Sequence, residues 1–221
     1  TGDFNATTND FSFWGVSLYQ NWASQAANVT VDLGYSENRN DLEQRIPAWT
    51  NLDGKVKGAV DSQLFTVGLT GEYRIYTPLV EVTPHMGARY NHLTTDAFET
   101  HGSRRDSLFK TEQARQDIWL FPAGVKLSKA FALDAGWDLH TQADVGMIAA
   151  AGDTRTQSRI AAPGIHASDV ITADVVDSTA FNGQLGLKLQ NGNMAFSVGY
   201  DITASEHTTG QTVGATYKFS F

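Results

Sequence analysis

Cysteine is absent from the 221 residues, which excludes disulfides, thiolate metal sites and a cysteine nucleophile. Long apolar runs are absent too. No stretch approaches the roughly 18 residues that a membrane helix needs. Basic residues are in deficit, 16 Lys and Arg against 24 Asp and Glu, and the net charge of −8 removes nucleic acid from the expected partners. Prolines are few and scattered, so no Pro-rich linker divides the chain. A secretory signal is missing from the start, where Thr1-Gly-Asp-Phe-Asn-Ala-Thr-Thr8 has neither a charged nor an apolar region. The expectation is a removed signal or an internal piece of something longer.

What is present is alternation. Val213, Ala215, Tyr217, Phe219 and Phe221 fall on one face of the final segment, and Thr212, Gly214, Thr216, Lys218 and Ser220 on the other. A period of two is that of a strand with one apolar and one polar face. The pattern recurs around Trp14–Leu18, Val29–Tyr35, Phe65–Tyr73, Val80–Tyr90, Trp119–Leu127, Trp137–Val145, Phe181–Leu189 and Phe196–Ile202, about nine strands in all. Short connections are expected at Ser24–Asn28, Arg74–Pro78, Lys129–Leu133 and Asn191–Asn193. Long polar ones are expected over 37–62, 94–115 and 150–177, with a shorter one at 204–209 on the same side. Turns at one end and long loops at the other fit an antiparallel, up-and-down transmembrane β-barrel, all-β in class.

The two faces carry different chemistry. Trp14, Trp22, Tyr35, Tyr73, Tyr90, Trp119, Trp137 and Tyr200 lie on the apolar face, mostly near strand ends. Aromatics so placed are expected to sit at the lipid interface. Glu81, His85, Arg89, Lys126, Asp138, His140, Asp144 and Lys188 lie on the polar face and are expected to point into a lumen. Glu81, His85 and Arg89 share one strand, where a charge ladder between strands is preferred over contact with a threaded segment. Asp138 and His140 could orient and act as a base, yet no nucleophile stands nearby, and a polar lumen wall is the simpler reading. No catalytic residue, metal site or cofactor is expected; His92, His101, His166 and His207 lack ligand spacing, and Arg104-Arg105 reads as a solvated loop pair. An odd number of antiparallel strands cannot close up-and-down, so an odd number is expected upstream.

Three segments carry a family resemblance. Thr83-Pro-His-Met-Gly-Ala-Arg-Tyr90 is similar to a strand of the form T-P-x-x-G-x-R-Y, Gly124-Val-Lys-Leu-Ser128 to G-x-x-L-S, and Gly214-Ala-Thr-Tyr-Lys-Phe219 to a closing G-x-x-Y-x-F. The chain from Phe11 onward resembles the C-terminal translocator domain of classical (type V) autotransporters of Gram-negative bacteria. The resemblance implies an outer-membrane barrel of about twelve strands that anchors and secretes an N-terminal passenger to the cell surface. Residues 1–221 would then form one barrel domain holding strands four to twelve, without the first strands, the pore helix or the passenger. It further implies outer-membrane lipid, the barrel-assembly machinery and the chain's own passenger segment as partners. Thr212, Gly214, Tyr217, Phe219 and Phe221 would form the assembly signal, with Ser220-Phe221 an addition beyond the usual final aromatic. The competing readings are a stand-alone porin or adhesin barrel and, behind them, an outer-membrane hydrolase using His140.

Overall fold

The computed structural model describes residues 7–45, 55–102, 107–161 and 168–220. Nine long strands form the body of one antiparallel sheet: β1 (Thr7–Ala23), β2 (Ala27–Arg45), β3 (Lys55–Tyr73), β5 (Glu81–Thr95), β8 (Ala114–Ala132), β9 (Asp138–Gly152), β12 (Thr179–Asn191), β13 (Met194–Ser205) and β14 (Thr209–Phe219). Each is bonded to the next in that order. The sheet curls into part of a barrel. Among the described residues, β1 pairs only with β2 and β14 only with β13.

Five shorter strands complete it. β4 (Ile75–Tyr76) folds back on β5. β6 (Phe98–Gly102) with β7 (Ser107–Thr111), and β10 (Arg155–Ala161) with β11 (Ser168–Asp174), form two hairpins at the loop end. β6 pairs with the start of β3, and β7 with β10, so the sheet runs on past the body of the barrel. The long connections expected over 37–62, 94–115 and 150–177 are therefore largely strand. The β2–β3 ladder runs unbroken from Ala27↔Tyr73 to Arg45↔Lys55. These polar extensions lack an apolar face, so no alternation marks them, and backbone bonds to neighbouring strands hold them instead.

The turn end is tighter. Asn191 and Met194 pair across Gly192-Asn193, with Gly192 at φ +51, a left-handed value that favours glycine. The turn expected at Lys129–Leu133 lies later: β8 continues through Ala132, and a single 3-10 turn over Asp134–Gly136 makes the reversal. Trp137 consequently precedes β9 instead of lying within it. Tyr200 stands in the middle of β13, away from the strand ends.

Packing is inverted relative to a water-soluble sheet. Ile118 alone among the described hydrophobic side chains is buried, and it lies on the polar face. Leu187 is 54 % exposed, Val145 67 % and Val213 73 %, all on the apolar face. A face of this area would not stay open to water; a bilayer satisfies it.

Candidate functional site

The concave, polar face of the sheet is the candidate site, and register fixes which residues share it. Asp32, Gly68 and Arg89 lie abreast on β2, β3 and β5. Glycine at position 68 leaves the middle strand bare, and Arg89 Nη2 reaches over it to both carboxylate oxygens of Asp32, at 3.0 and 3.1 Å. A Cβ at Gly68 would collide with that carboxylate. The same device recurs two strands further on. His85 on β5 faces Gly124 on β8, and His85 Nε2 donates across it to Asp144 Oδ1 on β9 at 3.0 Å. A Cβ at Gly124 would stand 2.7 Å from the Val145 carbonyl and 2.8 Å from the His85 ring. Neither partner is well solvated: the side chains of His85 and Asp144 are 16 % and 11 % exposed.

A third pair crosses β5 itself. Lys126 Nζ donates to Glu72 Oε1 at 3.2 Å, and Asn28 Nδ2 donates to Glu72 Oε2 at 3.5 Å. Thr83 and Ser128 hydroxyls both donate to Glu81 Oε1 at 3.4 Å, and Thr83 is buried. From β2 to β9 the polar wall thus satisfies itself through hydrogen-bonded pairs that step over intervening strands. Buried or half-buried charges need such partners.

From the turn end of β9 onward the wall changes. Asp138, His140, Lys188, Asp201 and Lys218 all share the polar face, and among the described residues none of the five side chains makes a hydrogen bond or ion pair. Asp138 and His140 are neighbours on β9 without a bond between them, and no hydroxyl is hydrogen-bonded to either. Of the eight polar-face residues expected from sequence, Glu81, His85, Arg89, Lys126 and Asp144 are tied into the paired wall. Asp138, His140 and Lys188 stand outside it.

The apolar face carries the aromatics. Trp14 and Tyr35 meet edge-on at 5.7 Å, and Tyr90 and Trp119 meet at a tilt at 5.1 Å. Each pair is crowned by a carboxylate toward the loop end. Trp14 Nε1 and Tyr35 OH donate to Glu37 at 2.9 and 2.6 Å, and Tyr90 OH donates to Asp117 Oδ1 at 2.5 Å. His92 Nδ1 joins the same Asp117 oxygen at 2.7 Å. Trp22 and Tyr73 stand exposed at the turn end, at 56 % and 55 %. Tyr217 and Phe219 lie on the apolar face of β14, with Thr212 and Gly214 opposite; Phe221 lies outside the described residues.

Several features were not singled out from sequence. Gly68 makes room for the Asp32 carboxylate, and Gly124 for the Val145 carbonyl and the His85 ring, all on neighbouring strands. Glu37 and Asp117 act as caps to aromatics whose partners come from another strand. Phe11, Phe13 and Tyr19 put aromatic rings on the otherwise polar face of β1, with Phe11 and Phe13 stacked at 6.5 Å. At the loop end, His207 donates its backbone N–H to Asp177 at 3.0 Å and its Nδ1–H at 2.6 Å. The Ser205 hydroxyl and these two donors hold the Asp177 carboxyl down at about 2. The two lysines Lys55 and Lys57 do the same to Glu43, also to about 2.

No curated protein matches the chain. Among solved structures it is similar to the translocator domain of the autotransporter NalP from Neisseria meningitidis, at 18 % identity and a TM-score of 0.67, over 98 % of this chain and 68 % of that one. Weaker likenesses are to the β domain of the Bordetella autotransporter BrkA, at 13 % identity, TM-score 0.37 and 97 % and 92 % coverage, and to the transport unit of AIDA-I from Escherichia coli, at 12 %, 0.39, and 99 % and 86 %. The first establishes the fold. The family model for the autotransporter β-domain matches residues 1–201. The chain belongs to the autotransporter β-domain family, the outer-membrane translocators of Gram-negative bacteria.

Proposed function

We propose that this sheet is most of the wall of a passenger-secreting pore, with its apolar face in outer-membrane lipid and its polar face toward the chain's own passenger segment. The observation that carries the reading is the inversion of packing: a large exposed apolar face, edged by aromatics, behind a polar concave face. The lumen gives a polypeptide a wet route through a layer that accepts no unpaired backbone. Trp14, Tyr35, Tyr90 and Trp119, capped by Glu37 and Asp117, serve as the interface anchors on the loop side. Trp22, Tyr73 and Trp137 serve on the turn side. The nine long strands correspond to strands four to twelve of the family barrel, and upstream strands of the same protein cover the edges of β1 and β14.

Assembly depends on the last strand. Val213, Tyr217 and Phe219 share the apolar face of β14 and are exposed to a partner that adds a strand edge-on, reading backbone and alternate side chains. That partner is the barrel-assembly machinery. Deleting Phe219 to Phe221 is expected to abolish insertion, read as loss of the heat-modifiable gel shift of folded barrels in membranes of cells making the variant. Lys218→Ala, on the polar face, should retain it. A deletion variant that inserts and shifts normally would remove the assembly role from this strand.

A further inference from the structure

The polar wall from β9 to β14, joined at one side by Glu81 and Ser128, lines a cavity of about 960 Å³ and is organised in rows that run across the strands. One row is bare: Gly186, Gly199 and Gly214 lie abreast on β12, β13 and β14. On the loop side of it lies Asp201, abreast of Gln184 and Thr212. On the turn side lie His140 and Lys188, abreast of Ser197 and Thr216. These three charged or titratable groups have no partner within the described sheet. Nor does the sheet explain the glycines. A Cβ at Gly199 would meet nothing nearer than 3.8 Å, and one at Gly214 nothing within 4 Å. Both residues have ordinary negative φ, so no turn requires them. Glycine inside a strand weakens it, and its recurrent use marks close approach by another backbone.

We infer that the β9–β14 wall is the track along which the protein's own passenger segment lies, and that the β2–β8 wall is the less contacted side. The inference rests on the translocator reading and adds the place and the chemistry of contact. The choice of occupant follows from the complementarity offered. Unpaired groups of opposite tendency flank a lane one side chain deeper than its surroundings. A polypeptide whose backbone enters the lane would set a basic side chain against Asp201 and an acidic one against Lys188 and His140. Asp201 and Ser197 lie four residues apart on β13, about 13 Å at 3.3 Å per residue. A helical occupant would therefore space its base and its acid by about nine residues. The β2–β8 wall offers no such charges, because Arg89 is spent on Asp32, Lys126 on Glu72 and His85 on Asp144.

The test uses the full-length protein with a photoreactive phenylalanine analogue at Ser197 or Thr216, or, on the other wall, at Thr30 or Thr70. Cells are irradiated during secretion. Folded barrels are identified by their gel shift, and passenger at the surface is measured separately. Cross-links to the passenger segment are expected several-fold more from Ser197 and Thr216 than from Thr30 and Thr70. The combined charge swap Asp201→Lys with Lys188→Glu is expected to slow passenger appearance several-fold in barrels that still show the shift. Equal or reversed cross-linking would overturn the inference while leaving translocation standing. So would the absence of cross-links from both walls while passenger reaches the surface. An unmodified barrel that folds yet shows no surface passenger would defeat the translocator reading and this inference with it.

Discussion

The two halves of the polar wall use the same residue types on the same strand geometry, yet one is closed on itself and the other is open. The difference is where glycine stands. Between β2 and β9 a glycine sits between two charges, as Gly68 does between Asp32 and Arg89, and the charges meet across it. Between β12 and β14 glycines sit beside glycines, and the charges either side stay apart. A missing side chain can therefore complete an internal bond or leave a space for something else. Only the register between strands tells which.

The largest expected effect tests the premise that alternate residues face different solvents. Leu187→Arg places a charge on the apolar face and should cost about 2–4 kcal/mol if the site lies at the bilayer midplane. Lys188→Leu, its neighbour on the open wall, should be far milder in the same refolding titration. Equal costs would contradict the assignment of faces.

The next comparison is between glycines. Gly124→Ala forces the Val145 carbonyl or the His85 ring to move, and overpacking of this kind costs about 1–3 kcal/mol. Gly199→Ala meets no such neighbour, and a strand gains up to about 1 kcal/mol when glycine is replaced by alanine. Denaturant unfolding of both variants should move the midpoint in opposite directions. A matched loss at the two positions would erase the distinction between the walls.

The smallest effect lies at the loop end, outside both walls. Asp177 titrates at about 2 because Ser205 and His207 donate to its charged form. Its folded value lies below the ordinary carboxylate value of roughly 3.9. The contact's contribution is therefore fully present above that ordinary value and is lost as pH falls through about 2. The carboxyl carbon resonance of Asp177 should titrate with a midpoint near 2; a midpoint near the ordinary value would show that the loop contact does not form.

The nine long strands were legible because lipid on one side and water on the other impose alternation on the side chains. The hairpins β6–β7 and β10–β11 were not, since Phe98–Gly102 and Arg155–Ala161 carry no apolar face that would set a period. The reversal comes later than Lys129–Leu133 because Ala130, Phe131 and Ala132 offer no break, and β8 simply continues. His85 and Asp144 were both recognised as polar-face residues. Their bond was not, because they stand 59 residues apart and meet across a strand that contributes only Gly124. Partnership of this kind depends on register, and a single sequence does not contain it. The aromatics were seen as strand-end residues, but the caps supplied by Glu37 and Asp117 come from pairing between strands.

The central claim is that one face of this sheet meets lipid and the other meets water. The chain contains no cysteine, so single cysteines introduced at each position from Gln184 to Gln190 report on that directly. In intact membranes, a water-soluble maleimide should label the substitutions at Gln184, Gly186, Lys188 and Gln190. It should spare those at Leu185, Leu187 and Leu189. Labelling without regard to alternation, or labelling of the leucine positions alone, would contradict the account.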